Sequence, residues 1–240
     1  MEAFFLLVFP LFFLGFIALI IYAIHANKKR AEALANKASA MQLAFSRTPP
    51  NGFAEELSAM SYFADPKNRT YSNVLHGQSG GTSVYIFEYQ ISQDSAATPA
   101  AHAGSDSLTT SHAHTSTTST IYSAVYLRGN IALPQFLLYS SSFLDGFVKK
   151  LFGMQDIDFS THPVFSKDCV LQGRDEAAVR KLFTPEVLTH CEKISKDTVI
   201  GEGERLVYLR RGFLMPDQIE NLLRESLALH QVLQNNAAKA

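Results

Sequence analysis

Tryptophan is absent from the 240 residues, cysteine occurs twice, and no surplus of basic charge is present. Each shortage closes a class. Two cysteines exclude a disulfide-dense scaffold and any four-cysteine zinc module. With 21 Lys+Arg against 22 Asp+Glu, no excess of cations is available to neutralise phosphates, so no nucleic acid is expected as a partner. Charge is scarce altogether, at 18% of residues against 47% hydrophobic.

What the chain has instead is an uneven distribution. Phe4 to Ile24 reads FFLLVFPLFFLGFIALIIYAI, without a charge, and it holds six of the 18 phenylalanines. A helix of that length is about 31 Å long, enough for a hydrocarbon core of ~30 Å. Pro10 and Gly15 are tolerated in membrane spans. A cleaved signal peptide is the competing reading. It lacks its basic leader here, since only Met1, Glu2 and Ala3 precede the run, and the run exceeds the ~7–15 residues of a signal core. Residues 4–25 therefore read as a transmembrane helix behind a short external tail, 1–3. Lys28, Lys29 and Arg30 follow at once and are assigned to headgroup contact. By the positive-inside rule they put the carboxyl-terminal side in the cytoplasm of a single-pass inner-membrane protein. Beyond Arg30 the bases fall by three and the acids by one, leaving 18 against 21, a faintly acidic remainder. Cys169 and Cys191 are expected to be reduced thiols in that compartment.

Residues 26–41 are good helix formers and predict a basic juxtamembrane stalk. Residues 42–235 predict one cytoplasmic domain, and 236–240 a disordered tail. Phe53 to Phe63 reads as a helix. Strands are predicted over Tyr71–Gly77, Ser83–Ile91, Ile121–Leu127 and Leu133–Leu138. In the second, Val84, Ile86, Glu88 and Gln90 alternate with Tyr85, Phe87, Tyr89 and Ile91. Residues 92–120 contain 14 Ser or Thr and six Ala without an aromatic, and so predict a flexible insertion. A helix is predicted from Ser140 to Phe152, strands over Asp156–Phe159 and Phe165–Leu171, and helices over Asp175–Phe183 and from Thr184-Pro185 to Ile194. Thr198–Ile200 and Leu206–Arg210 predict a hairpin around Gly201-Glu202-Gly203-Glu204. A last helix after Pro216 carries Ile219, Leu222, Leu223, Ser226, Leu229, Val232 and Leu233 as one stripe. Strands mixed with segregated helices, without a βαβ rhythm, give the fold class: α+β, an N-terminal transmembrane helix followed by a soluble domain with an antiparallel sheet.

Several motifs invite chemistry. Gly77-Gln78-Ser79-Gly80-Gly81 matches the nucleophile-elbow pattern, but a strand follows where a helix is required, so a turn is the better reading. His102, His112 and His114 lie in the low-complexity insertion without rigid companions. Asp156 and Asp158 flank Ile157, and with His162 they are the candidates for acid–base work or a divalent cation. A solvated strand face is the commoner meaning of such a pair. No catalytic, cofactor-binding or metal-binding residue is assigned and no cofactor is expected.

One resemblance joins these segments. Asp156-Ile157-Asp158-Phe159, Phe165-Ser166, Leu171-x-Gly173-x-Asp175-Glu176 and Val179-Arg180-x-Leu182-Phe183, with Asn73-Val74-Leu75-x-Gly77 ahead of the Val84 to Tyr89 strand, resemble a group of uncharacterised bacterial single-span membrane-anchored proteins, over residues 41–91 and 121–235. The resemblance implies a location and no activity. The leading expectation is a membrane-anchored protein-interaction or scaffold module, with the bilayer and other membrane or cytoplasmic proteins as partners. A membrane-tethered hydrolase-like or metal-dependent enzyme using Asp156, Asp158 and His162 is the alternative.

Overall fold

The computed structural model describes residues 2–65, 67–95, 116–142 and 154–238. Helix α1 (Glu2–Ala40) runs unbroken through 39 residues. It stops because Gln42 takes a left-handed conformation (φ 59°), with Leu43 N donating to Ala38 O and Gln42 N to Ser39 O. This is a Schellman closure, and it satisfies carbonyls the helix would otherwise leave bare. Strand β1 (Ala44–Ser46) follows, then α2 (Phe53–Ser58) and a single 3₁₀ turn at Ser61–Phe63. Strands β2 (Arg69–Ser79), β3 (Thr82–Ser95) and β4 (Ser116–Ser140) come next. After them stand β5 (Gln155–Asp156), α3 (Pro163–Asp168), β6 (Cys169–Gly173), α4 (Glu176–Leu182), α5 (Pro185–Glu192), β7 (Thr198–Arg211) and α6 (Ile219–Ala237).

The described strands form one antiparallel sheet organised around β4. Strand β7 lines one edge of β4, and the other edge is shared in succession by β3 and β6. Strands β2 and β1 extend the sheet beyond β3, and β5 extends it beyond β6. Gly80 and Gly81, both at positive φ, close the β2–β3 hairpin in two residues, so the apparent nucleophile elbow is a turn. Both faces of the sheet are covered. On one, Val84, Ile86, Val125, Leu127 and Tyr208 pack against α3, α4, α5, α6 and the end of α1. On the other, Phe87, Tyr89, Tyr122 and Tyr126 pack beneath Phe53, Leu57, Met60 and Phe63. The alternation read in β3 thus sorts side chains into two cores, and the architecture is α+β with a long apolar helix at its amino terminus.

Several expectations are corrected. The hairpin at 198–210 is one continuous strand. Gly203 (φ 61°) pairs with Leu133 between two register shifts whose extra residues lie in β4, so the glycine-rich stretch continues the strand opposite a bulge and makes no turn. Pro134 lies in the matching irregularity of β4, where a residue without an N–H costs no ladder bond. The strand expected at Phe165 is α3, opened by Pro163 at its first turn. The Phe53–Phe63 helix breaks at Ala59, and α5 ends at Glu192, two residues early. The stalk is no free spacer, because Ala31, Leu34 and Ala38 are buried in the domain core. Asn236, expected in a disordered tail, is buried in α6 and accepts from Thr184 Oγ1 at 2.9 Å. Of the insertion expected at 92–120, residues 92–95 belong to β3 and residues 116–120 to β4. Residues 96–115, with their three histidines, lie outside the described residues, as does most of the expected 140–152 helix.

From Phe12 to Ile24 the large apolar side chains of α1 are exposed, Phe12 at 76% and Tyr22 at 72%. One helix is therefore long and apolar enough to cross a membrane, and no protein surface among the described residues covers that stretch.

Candidate functional site

Charged and apolar groups converge where α1 meets the sheet. Glu88 occupies an alternation slot beside Val84 and Ile86, on the face covered by helices, and its side chain is 7% exposed. A carboxylate there needs a partner, because desolvating an unpaired charge is costly. Arg30 supplies it from α1, Nη1 to Oε1 and Nη2 to Oε2, the latter at 3.3 Å. Leu214 N donates to Oε1 at 3.1 Å and Asn73 Nδ2 to Oε2 at 2.6 Å, with Ser72 Oγ at 3.5 Å. Asn73 reaches inward because it sits in a bulge of β2 at φ 50°. The Arg30 guanidinium also lies 5.0 Å from the ring centroid of Phe213. Arg30, expected at the headgroups, is thus turned toward the domain, whereas Lys28 and Lys29 stay exposed. A second tie, Lys37 to Glu220 at 2.6 Å, joins α1 to α6. Glu220 is exposed, so this contact contributes little.

A cleft of about 510 Å³ opens beside this junction, walled by Ile24, Lys28, Arg30, Arg47, Glu88 and Phe213 among others. No sequence signal named it, because its walls come from six separate segments. The one available hint was Glu88, a charge inserted in an apolar alternation.

The sequence candidates lie elsewhere. Asp156 and Asp158 are exposed on either side of buried Ile157. Asp156 Oδ1 accepts from Gln172 Nε2 at 2.8 Å. Asp158 borders an open depression of about 810 Å³ together with Ser166, Lys167 and Arg180. His162 caps the start of α3, with Nδ1 3.1 Å from Thr161 Oγ1, and neither it nor Asp156 lines that depression. The three residues are not gathered around one buried pocket. Among the described residues no group of three His, Cys, Asp or Glu is placed to hold a metal ion.

Two further clusters have structural explanations. Arg210 donates to Asp197 at 3.0 and 2.7 Å and to Glu225 at 2.5 Å, locking β7 to α6. Burial, then the neighbouring Asp197 carboxylate, pushes the Tyr208 hydroxyl well above its ordinary range. Burial also pushes the Cys169 thiol up to about 11 and the Cys191 thiol higher still, so both behave as small apolar side chains.

His230, on the apolar face of α6, is 4% exposed, and its Nε2 has no hydrogen-bond partner. Burial lowers its pKa, and burial followed by Lys193 lowers that of His190. A histidine depressed in the folded state favours folding fully above its unfolded value, near 6.5. As pH falls below that value the unfolded chain takes up protons first and stability declines. The melting temperature of the detergent-solubilised protein is expected to drop between pH 7 and pH 5.5, and His230→Leu to reduce that drop. An equal drop in the variant would show that His230 does not contribute.

No family model matches the sequence, and no curated protein matches it. Among solved structures, the crystal structure of the mycobacterial trehalose monomycolate transport factor A, TtfA, is similar. The TM-score is 0.57 at 10% identity, covering 85% of this chain and 94% of that one. At such an identity the likeness is one of fold.

Proposed function

We propose that this chain is a single-pass membrane protein whose domain serves as a protein-interaction or scaffold module held against the bilayer, as an accessory to a transport assembly. One observation carries the reading: α1 enters the domain core through Leu34 and Ala38 and is tied to it by the Arg30–Glu88 pair. The apolar segment and the sheet are therefore one body, and a scaffold needs that fixed presentation. The fold likeness to a transport factor supports the accessory role without carrying over its cargo. The resemblance to bacterial membrane-anchored proteins points the same way. Lys28 and Lys29 after the apolar run favour a cytoplasmic domain at the inner membrane, with residues 1–3 outside.

Crosslinking of the full-length protein in intact membranes, followed by affinity recovery, is expected to yield a membrane-embedded partner in stoichiometric amount. Recovery of background alone would sink the scaffold reading. A reporter active only in the periplasm, fused after Ala240, is expected to be silent, and strong activity would reverse the orientation.

A further inference from the structure

The cleft beside α1 lies at a particular depth. Ile24 ends the apolar run, and Arg30 follows six residues later, about 9 Å further along the helix. A bilayer of ~40–45 Å around a ~30 Å hydrocarbon core leaves about 5–8 Å of headgroup layer on each side. Ile24 and Arg30 both line the cleft, so it spans the headgroup layer if Ile24 marks the hydrocarbon edge. Its charged lining residues are Lys28, Arg30, Arg47 and Glu88, three bases against one acid. Glu88 is already matched by Arg30, while Lys28 and Arg47 make no ion pair among the described residues. Arg47 is held in position by its backbone, whose carbonyl accepts from Asn73 N at 3.0 Å. Phe213, 54% exposed, forms an apolar wall of the same cleft, and Met215, 41% exposed, follows two residues later. Exposed apolar residues next to unmatched bases, at the foot of an uncovered apolar helix, describe a surface complementary to a lipid.

We infer that this cleft binds the headgroup of an anionic phospholipid from the leaflet that α1 leaves, with Lys28 and Arg47 facing the phosphodiester and Ile24 and Phe213 beside the acyl chains. The inference rests on the anchor reading and adds to it a specific lipid site on the domain. The unmatched charge at the cleft calls for an anion, and the exposed apolar helix continuous with it calls for an amphiphile.

The test is native mass spectrometry of the full-length protein in neutral micelles carrying equal phosphatidylglycerol and phosphatidylcholine. Wild type is expected to retain phosphatidylglycerol preferentially. Lys28→Gln with Arg47→Gln is expected to lower that preference about thirtyfold, two surface bases at about 1 kcal/mol each with tenfold per 1.4 kcal/mol. Lys193→Gln with Lys196→Gln removes the same charge outside the cleft and is expected to leave it intact. Gln90→Phe, which fills the cleft with charge unchanged, is expected to weaken it too. Equal retention of the two lipids by wild type would overturn the inference, as would equal losses in both double variants. Competition by millimolar glycerol phosphate as effective as by the lipid would assign the site to a soluble phosphate ester and also overturn it. Carbonate extraction separates the two levels: release of wild type from membranes defeats the anchor reading itself, whereas firm retention without lipid preference defeats the lipid site alone.

Discussion

Arg30→Met is expected to lower the stability of the solubilised full-length protein by about 3 kcal/mol, near the low end for removing one partner of a buried ion pair. The cause is Glu88. Its side chain is 7% exposed, and without the guanidinium it keeps a charge in a core face with only neutral donors, Asn73 Nδ2, Ser72 Oγ and Leu214 N. Those donors hold the cost below that of a fully bare carboxylate. For a chain of this length the loss corresponds to a fall in melting temperature of about 6–12 °C. Adding Glu88→Gln removes the charge while keeping an acceptor for Leu214 N, so the double variant is expected to recover most of the loss. A single variant as stable as wild type, or a double variant worse than the single, would show that the pair does not hold α1 to the domain. Limited proteolysis gives a second readout: cleavage after Lys28 or Lys29 is expected to accelerate in Arg30→Met as the helix loosens from the sheet.

Gly201→Ala is expected to cost about 3 kcal/mol by a different route, overpacking of a closed core. A methyl group on Gly201 would stand 2.2 Å from Phe136 Cε1 and 2.6 Å from Cζ. The Phe136 ring cannot yield easily, because it is buried and packs edge-on against Phe183 at 5.0 Å between centroids. Nor can the backbone, since Gly201 is paired with Phe136 across the β4–β7 ladder. The check is a mutant cycle read by chemical denaturation. Phe136→Leu is expected to destabilise the wild-type background and to stabilise the Gly201→Ala background. The same sign in both would rule out the clash as the cause.

Gly201 also shows where the sequence was hard to read. Two glycines within four residues ordinarily signal a hairpin, and here one takes a positive φ opposite a bulge of β4 while the other meets a ring closely, both inside a single strand. Both uses ask for a residue without a side chain, and only the register against β4 distinguishes them. The alternation in β3, the two-glycine turn after Ser79 and the apolar stripe of α6 were legible, because each depends on residues close together in the chain. The stripe was incomplete: His230 and Asn236 belong to it although neither is apolar. The junction at Arg30 was not legible, since its partner lies 58 residues away and a basic residue after an apolar run already has a sufficient explanation at the membrane surface. Asp156, Asp158 and His162 gave the opposite error. Proximity in sequence made them look concerted, and β5 ends at Asp156, so nothing carries the three toward a common centre.

The unbroken course of α1 has a consequence for azimuth. Over 39 residues the helix is about 58 Å long, and each residue turns it by about 100°. With no hinge between Ile24 and Ala38, the compass bearing of the apolar side chains from Phe12 to Ile24 is set relative to every strand below. A neighbouring helix that selects one face of the upper half therefore also selects which edge of the sheet looks toward that neighbour's own water-exposed parts. Rolling the helix by one residue's worth of turn would swing the whole sheet through about a quarter of a circle. The molecule behaves as a shaft with a vane attached.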